Sequence, residues 1–224
     1  MKSIAIMQPY FIPYAGYFRL MQSSDVFVIY DCVQFTRRGY IHRNKLNFTN
    51  NGLNWLGLPL KKQPREIKIN QLEFKTNALE IFDTSIHKSN IYSTIKNDFE
   101  LMKRLYDFEK TPSQYITELL RYVCQLLNIQ TEFIYSSHLN LPSQLRGQGR
   151  IIEICKQLNA NHYINSSNGR SLYDFKAFEN ESIDLSFLED YKGSYISVLE
   201  DYYFRSNENQ NILREQIRKQ SILF

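Results

Sequence analysis

The residues best suited to chemistry lie close together near the start of the chain. Asp31 and Gln34 follow the apolar run Val26 to Tyr30, and His42 sits inside Arg37-Arg-Gly-Tyr-Ile-His-Arg-Asn44. A carboxylate or an imidazole can take up a proton, and the amides of Gln8, Gln34 and Asn44 can donate to developing negative charge. Cys32, beside Asp31, is a conceivable nucleophile, while Asp31 could equally serve as a capping or turn residue. From Cys32 to Arg65 there is no Asp or Glu, yet Arg37, Arg38, Arg43, Lys45, Lys61, Lys62 and Arg65 supply seven positive charges. Seven exceeds the formal +4 of all 224 residues, so the charge is localised and the remainder is slightly acidic. Such a run is either a solvated face or a cleft that attracts anions. The interleaved Tyr40 and His42 favour the cleft, as does the suitability of planar guanidiniums for a bidentate grip on phosphate or carboxylate.

Strands and turns must position these groups. Ile4 to Met7 and Val26 to Tyr30 have the length and β-branched content of buried strands, and each ends in polar and aromatic residues. In open α/β sheets that carboxyl edge is where ligands bind. Pro9 and Pro13 stop the first strand, Gly16 permits close approach, and a helix-compatible stretch covers Tyr14 to Met21. Gln8, Tyr10, Tyr14 and Gly16 are therefore placed to touch a ligand. Asn50-Asn-Gly52, between Lys45 to Phe48 and Asn54 to Leu60, predicts a hairpin that presents part of the basic surface. Glu66 to Ile69 can add one more short strand.

A helical pattern follows from about 77 to 128. Ala78, Leu79, Phe82 and Ile86 recur at three and four, as do Ile95, Phe99, Met102 and Leu105. Thr111-Pro112 opens a helix through Leu127 with the core stripe Ile116, Leu119, Leu120, Val123 and Leu127. Alternation of strand and helix then resumes. The runs Thr131 to Tyr135 and His162 to Asn165 end in Ser136-Ser-His138 and Ser166-Ser-Asn-Gly-Arg170. Those loops are either ordinary turns or cradles for phosphate or sugar oxygens, with Ser137 and Asn165 as contacts and Arg150 and Arg170 neutralising charge. A helix from Arg150 to Leu158, a last strand from Ile183 to Leu188, and helices over Tyr195 to Arg205 and Glu208 to Lys219 complete the reading. The expected fold is α/β, a Rossmann-like, mainly parallel sheet with a β-hairpin insertion and a helical middle segment, as one domain over 1–224.

Hydrophobic residues at 43% and charged residues at 22% are ordinary for a globular protein. Three cysteines without any C-x-x-C spacing argue against a disulfide scaffold and a zinc site, and no metal is expected. Met1 to Met7 is too short for a signal-peptide core before Pro9, and no run approaches a membrane span, so the cytoplasm is the expected location. The modest net charge and the lack of RNA-binding signatures make nucleic acid a weaker alternative.

Several of these motifs carry a resemblance. Met7-Gln-Pro-Tyr-Phe-Ile-Pro-Tyr-Ala-Gly-Tyr-Phe18, Val28-Ile-Tyr-Asp31, Arg38-Gly-Tyr-Ile-His-Arg-Asn44, Trp55-Leu-Gly-Leu-Pro-Leu-Lys61 and Gly169-Arg-Ser-Leu-Tyr-Asp174 are similar to motifs of the WbqC-like family. Genes of that family occur among those for bacterial O-antigen and other surface polysaccharides. The sequence departs from the family pattern at Cys32, where a second Asp is expected, and at His42, where Asn is common. The order strand, Tyr14-Ala-Gly-Tyr17, helix, strand also resembles the opening of nucleotidylyltransferases and class I aminoacyl-tRNA synthetases, which carry His-x-Gly-His there.

The resemblance implies an enzyme that modifies a nucleotide-linked amino sugar, most simply by moving an acyl or aminoacyl group such as glycyl to the sugar amine. In that scheme Asp31 or His42 is the base, and Gln34 joins them in the catalytic set. Gln8, Tyr10, Tyr14, Gly16, Arg37, Arg38, Arg43, Asn44, Ser137, Arg150, Asn165, Arg170 and Asp174 bind substrate. The acyl donor is an activated group (a charged tRNA, a thioester carrier, or an amino acid with ATP). The alternatives are a glycosyl- or nucleotidyltransferase of the same pathway, or a nucleotide-sugar or RNA-binding module without catalysis.

Overall fold

The computed structural model describes residues 1–204 and 207–219. Its strands are β1 (Ser3–Met7), β2 (Val26–Ile29), β3 (Arg43–Phe48), β4 (Gly52–Gly57), β5 (Glu132–Tyr135), β6 (His162–Asn165) and β7 (Asp184–Phe187). Five of them pair in parallel in the order β5-β2-β1-β6-β7. The chain thus winds outward from β1 through β2 to β5, then returns to the other side of β1 and winds outward again through β6 to β7. The reversal falls between β1 and β6, and a crevice opens at the carboxyl ends of strands that diverge in this way.

The central strands are apolar on both faces because both faces are covered. Ala5, Phe27 and Ile29 belong to one core, with Phe18 and Met21 of helix α1 (Phe18–Gln22) and Ile116, Leu120 and Val123 of α5 (Pro112–Leu127). Ile4, Ile6, Val26 and Val28 belong to the other, with Ile151, Ile154 and Cys155 of α6 (Gly147–Gln157) and Phe178 of α7 (Phe175–Glu179). A one-residue slip of β1 would exchange these two sets, which fixes its register.

The helical middle holds α2 (Ala78–Ile86), α3 (Tyr92–Ile95), α4 (Phe99–Leu105) and α5. Thr111 caps α5 reciprocally with Gln114, Pro112 opens it, and Asn128 closes it in the left-handed region at φ 57°. The hairpin of β3 and β4 forms, but not through left-handed geometry at both central residues. Only Gly52 has positive φ, at 57°, after a turn in which the Asn51 amide donates to the Phe48 carbonyl. Glu66 to Ile69 is not a strand. It contributes one antiparallel bridge, Gln34 to Lys68, before a 3₁₀ turn at Ile69–Gln71. At the carboxyl end, α8 (Val198–Tyr203) is shorter than the expected helix because Ser197 caps it, and Arg205 lies outside the described residues. The last helix, α9 (Asn207–Lys219), lies against α1. No described helix is long and apolar enough to cross a membrane.

Candidate functional site

A cavity of about 570 Å³ occupies the crevice at the carboxyl ends of β1 and β6. Its walls come from the loop after β1 (Gln8, Tyr10, Pro13, Tyr14, Gly16), the end of β2 (Tyr30), the start of the hairpin (Tyr40, Asn44), and the turn after β6 (Asn165, Ser166, Asn168, Gly169, Tyr173). Seven tyrosines line it, together with asparagine, serine and glutamine, and no described lining residue carries a formal charge. Such walls suit a ligand rich in hydroxyls and amides, because hydroxyl and carboxamide groups donate and accept while tyrosine faces stack on rings.

The loop after β1 is held in an unfavourable shape. Ile12, between the two prolines of Pro9-Tyr-Phe-Ile-Pro13, has φ 39°, a conformation that β-branched residues avoid. Its carbonyl accepts from Asn44 Nδ2 at 2.6 Å and from Ser197 Oγ at 2.9 Å, all in the interior. The neighbouring Pro13 carbonyl accepts from the Val198 amide at 2.9 Å, and the Phe11 amide donates to the Tyr40 carbonyl at 3.0 Å. Behind this latch the buried Glu200 carboxylate accepts from the Asn47 amide and from Asn47 Nδ2, each at 2.6 Å, tying α8 to the hairpin. Backbone strain of this kind persists only where the surroundings over-determine it, and it concentrates at ligand sites.

Tyrosine contacts shape the rest of the wall. Tyr10 stacks on Tyr17 at 5.4 Å, and Tyr14 packs on Tyr195 at 4.8 Å and on Tyr191 at 5.4 Å. Gly16 must be glycine here, since a Cβ would come within 2.4 Å of Tyr14 and 2.6 Å of Tyr191. Across the cavity Asn165 Nδ2 donates to the Tyr173 hydroxyl at 3.1 Å, which lies 3.0 Å from the Tyr163 hydroxyl. A Cβ on Gly169 would sit 2.6 Å from that same Nδ2.

Of the residues named from sequence, Gln8, Tyr10, Tyr14, Gly16, Asn44 and Asn165 therefore come together around one cavity. The others do not line it. Asp31 is buried on the β5 side of β2, where its carboxylate accepts from Ser136 Oγ at 3.1 Å, Ser137 N at 2.9 Å and Ser137 Oγ at 2.9 Å. Ser137 is thus engaged with Asp31 rather than with the crevice. Gln34 and Arg37 stitch the loop after β2 to the segment before Ile69 through the carbonyls of Arg65 and Gln63. Arg38 is exposed, and Arg43 lies 4.3 Å over the Trp55 ring on the hairpin. Arg170 lies over Phe187 on the surface, and Asp174 caps α7 through the Lys176 amide at 3.1 Å.

His42 packs edge-on against Phe35, its Nδ1 buried with no hydrogen-bond partner. Burial and then the charge of Arg43 push its pKa down to about 4, so the ring is neutral at neutral pH. Arg150 is buried beside the Tyr30 hydroxyl. Burial raises the Tyr30 pKa and the guanidinium pulls it part of the way back.

Sequence reasoning named the Ser166-Ser-Asn-Gly-Arg170 loop and the Tyr14-Ala-Gly-Tyr17 motif as wholes, but did not single out Tyr30, Tyr173 or Tyr195 as site residues. Tyr30 at a strand's carboxyl end and Tyr173 within Gly169-Arg-Ser-Leu-Tyr-Asp174 carried a usable positional signal. Tyr195 did not, because its place depends on the fold bringing the carboxyl-terminal segment back to the first loop. Among the described residues no group of three or more His, Cys, Asp or Glu is arranged to hold a metal ion.

Comparison with known proteins agrees with the motifs. A curated relative, the "Uncharacterized protein Rv1507c" of Mycobacterium tuberculosis, is 29% identical over 203 residues, covering 86% of this chain and 84% of its own length. No solved structure matches. The model of the WbqC-like protein family matches residues 8–206, which takes in both walls of the cavity and the latch behind it, and the chain belongs to that family.

Proposed function

We propose that this protein is an enzyme of surface-polysaccharide assembly that binds a nucleotide-linked amino sugar in the crevice between β1 and β6 and transfers an acyl or aminoacyl group to the sugar amine. The observation that carries the reading is the lining: seven tyrosines with amides and hydroxyls and no formal charge, at the switch point of a nucleotide-type sheet. A sugar offers hydroxyls for Gln8, Asn165 and Ser166, and both sugar and base offer ring faces to tyrosine. In the transfer, the amine nitrogen forms a bond to the acyl carbon, the donor's C–O or C–S bond breaks, and the ammonium proton leaves to a base. The freely lining amide of Gln8 is the candidate donor to the developing oxyanion.

A second reading is favoured by a specific feature, the lack of a carboxylate or imidazole among the described lining residues. On that reading the chain binds the nucleotide sugar without transforming it. Thermal melting against a panel of nucleotide-linked sugars, with and without a free amine, separates the possibilities. Stabilisation by amino sugars, followed by a mass increase of the sugar when thioester or aminoacyl donors are added, supports the enzyme. Stabilisation without any mass increase supports the binding module, and no stabilisation by any of the panel defeats both.

A further inference from the structure

Arg150, the fourth residue of α6, is 9% exposed. Its Nε is buried with no hydrogen-bond partner, and among the described residues no carboxylate pairs with it. Its guanidinium is near enough to the Tyr30 hydroxyl to lower that group's pKa, and Tyr30 and the next residue, Ile151, both line the cavity. A buried cation without a counter-charge is strongly unfavourable. Arg150 sits in the first turn of this 11-residue helix, where long side chains tend to lean toward the N-terminus. The first amides form the positive end of the helix dipole, and no acidic residue occupies its first turn. Gly147 enters the helix at φ 47°, leaving open space where a side chain would stand.

We propose that Arg150, Tyr30 and the first turn of α6 form a phosphate subsite beside the cavity, entered past Tyr30 and Ile151, the place where the diphosphate of a nucleotide sugar is held. The inference rests on the reading of the cavity as a nucleotide-sugar site and gives that ligand a direction. Phosphates lie toward α6, with Tyr30 donating its hydroxyl hydrogen and Arg150 neutralising charge behind it. The sugar then extends toward the uncharged wall of Tyr10, Tyr14 and Asn44. The basic stretch between residues 32 and 65 is engaged elsewhere, Arg37 with the Gln63 carbonyl and Arg43 over Trp55, whereas Arg150, itself outside the lining, adjoins Tyr30 and Ile151, which line the cavity.

The test compares the full chain with Arg150→Met and Arg150→Lys, using inorganic pyrophosphate and a UDP-linked amino sugar as probes in calorimetric titration and thermal melting. Without ligand, Arg150→Met should melt at or above the original protein, because the change removes an unpaired buried charge. Pyrophosphate should raise the melting temperature of the original protein and not that of Arg150→Met. Affinity for both probes should fall at least tenfold in Arg150→Met and by less in Arg150→Lys. If Arg150→Met fails to fold, Arg150→Lys decides, and unchanged pyrophosphate affinity in it overturns the subsite. Absence of saturable pyrophosphate binding overturns it as well. Should the UDP sugar bind equally well to all three proteins, the subsite fails while the sugar reading stands. If pyrophosphate binds through Arg150 but the UDP sugar binds no more tightly than pyrophosphate, the subsite stands and the sugar reading fails.

Discussion

The strained carbonyl of Ile12 offers a sharp test of how the first loop is held. A carbonyl oxygen has two lone pairs, and here both are used in the interior, by Asn44 Nδ2 at 2.6 Å and Ser197 Oγ at 2.9 Å. Removing one donor leaves the other in place, so the carbonyl is never orphaned in a single variant. Ser197→Ala loses that bond and also a weaker cap, the Leu199 amide at 3.3 Å, for about 1–2 kcal/mol in all. Asn44→Leu keeps the volume and loses its own bond to Ile12 as well as the acceptor of the Lys45 amide at 2.8 Å, about 1–3 kcal/mol. With both gone, the buried carbonyl has no donor and the left-handed residue has lost two of its restraints. The desolvation penalty of an unpaired buried group, about 1–3 kcal/mol, then appears on top of the two single costs. The double variant should therefore be less stable than the sum of the singles by about 1–2 kcal/mol, well outside the roughly 0.5 kcal/mol scatter of independent sites. Urea unfolding of the four proteins measures it. Additivity within about 0.5 kcal/mol would refute the idea that the two donors hold the loop jointly.

Other consequences can be checked on the same material. Gly169→Ala should cost about 1–3 kcal/mol, because its Cβ would stand 2.6 Å from Asn165 Nδ2 while bonds to Ser166 and Tyr173 keep that side chain from swinging away. A neutral result in thermal melting would show that the wall can shift. Asp31→Ala should destabilise by about 2–3 kcal/mol, since it strands the buried Ser136 hydroxyl and the part-buried Ser137 amide and hydroxyl. Ligand affinity of the folded fraction should hold within about twofold, and selective loss of turnover at full stability would return Asp31 to a catalytic role. For His42, the unfolded chain takes up a proton below about pH 6.5, whereas the folded chain does so only near 4. Stability should therefore fall as pH drops from about 6.5 to about 4 and level off below. The full separation corresponds to about 3 kcal/mol, and partial solvent exposure of the ring reduces the expected loss to about 1–2 kcal/mol. Urea titrations at several pH values should show that slope flattened in His42→Gln, and an unchanged slope would assign it to other groups.

The fold was legible where short-range physics decides it. β6 was read at its true boundaries, and α5 was marked by Thr111-Pro112 and its apolar stripe, because capping and periodicity act within one element. The strands β1 and β2 could be read as buried because they are apolar on both faces. Glu66 to Ile69 was expected as one more short strand, yet its Ile67 carbonyl and Ile69 amide pair with Phe35 and Val33 in the loop after β2, an irregular stitch. No local pattern encodes that pairing. The cavity was half legible. Gln8, Tyr10, Tyr14 and Gly16 lie at a strand's carboxyl end, where topology alone puts ligands. The charged residues were harder to place, because a count of cations along the chain does not say which way they point. Arg43 covers Trp55 and Arg37 binds a carbonyl, so both serve the hairpin and its neighbouring loop instead of the crevice.

What joins these observations is where the molecule carries its unfavourable features. Ile12 holds a left-handed backbone on one wall of the cavity, and Arg150 keeps an unpaired buried charge behind the other. By contrast Asp31 and Glu200 are buried acids, each met by several donors, and α5 is capped at both ends. Strain and unpaired charge cost stability, so placing a strained Ile12 and an unpaired Arg150 around one cavity puts unfavourable features where a ligand would add contacts. A ligand that neutralises Arg150 and packs against the loop of Ile12 would stabilise both at once. Binding should accordingly raise the unfolding free energy by RT ln(1 + [L]/Kd), about 2.7 kcal/mol at a hundredfold excess over Kd. It should also slow amide exchange in the first loop and in the first turn of α6 together. Protection of only one of the two segments would mean that the ligand does not span the cavity, and that the two unfavourable features have separate causes.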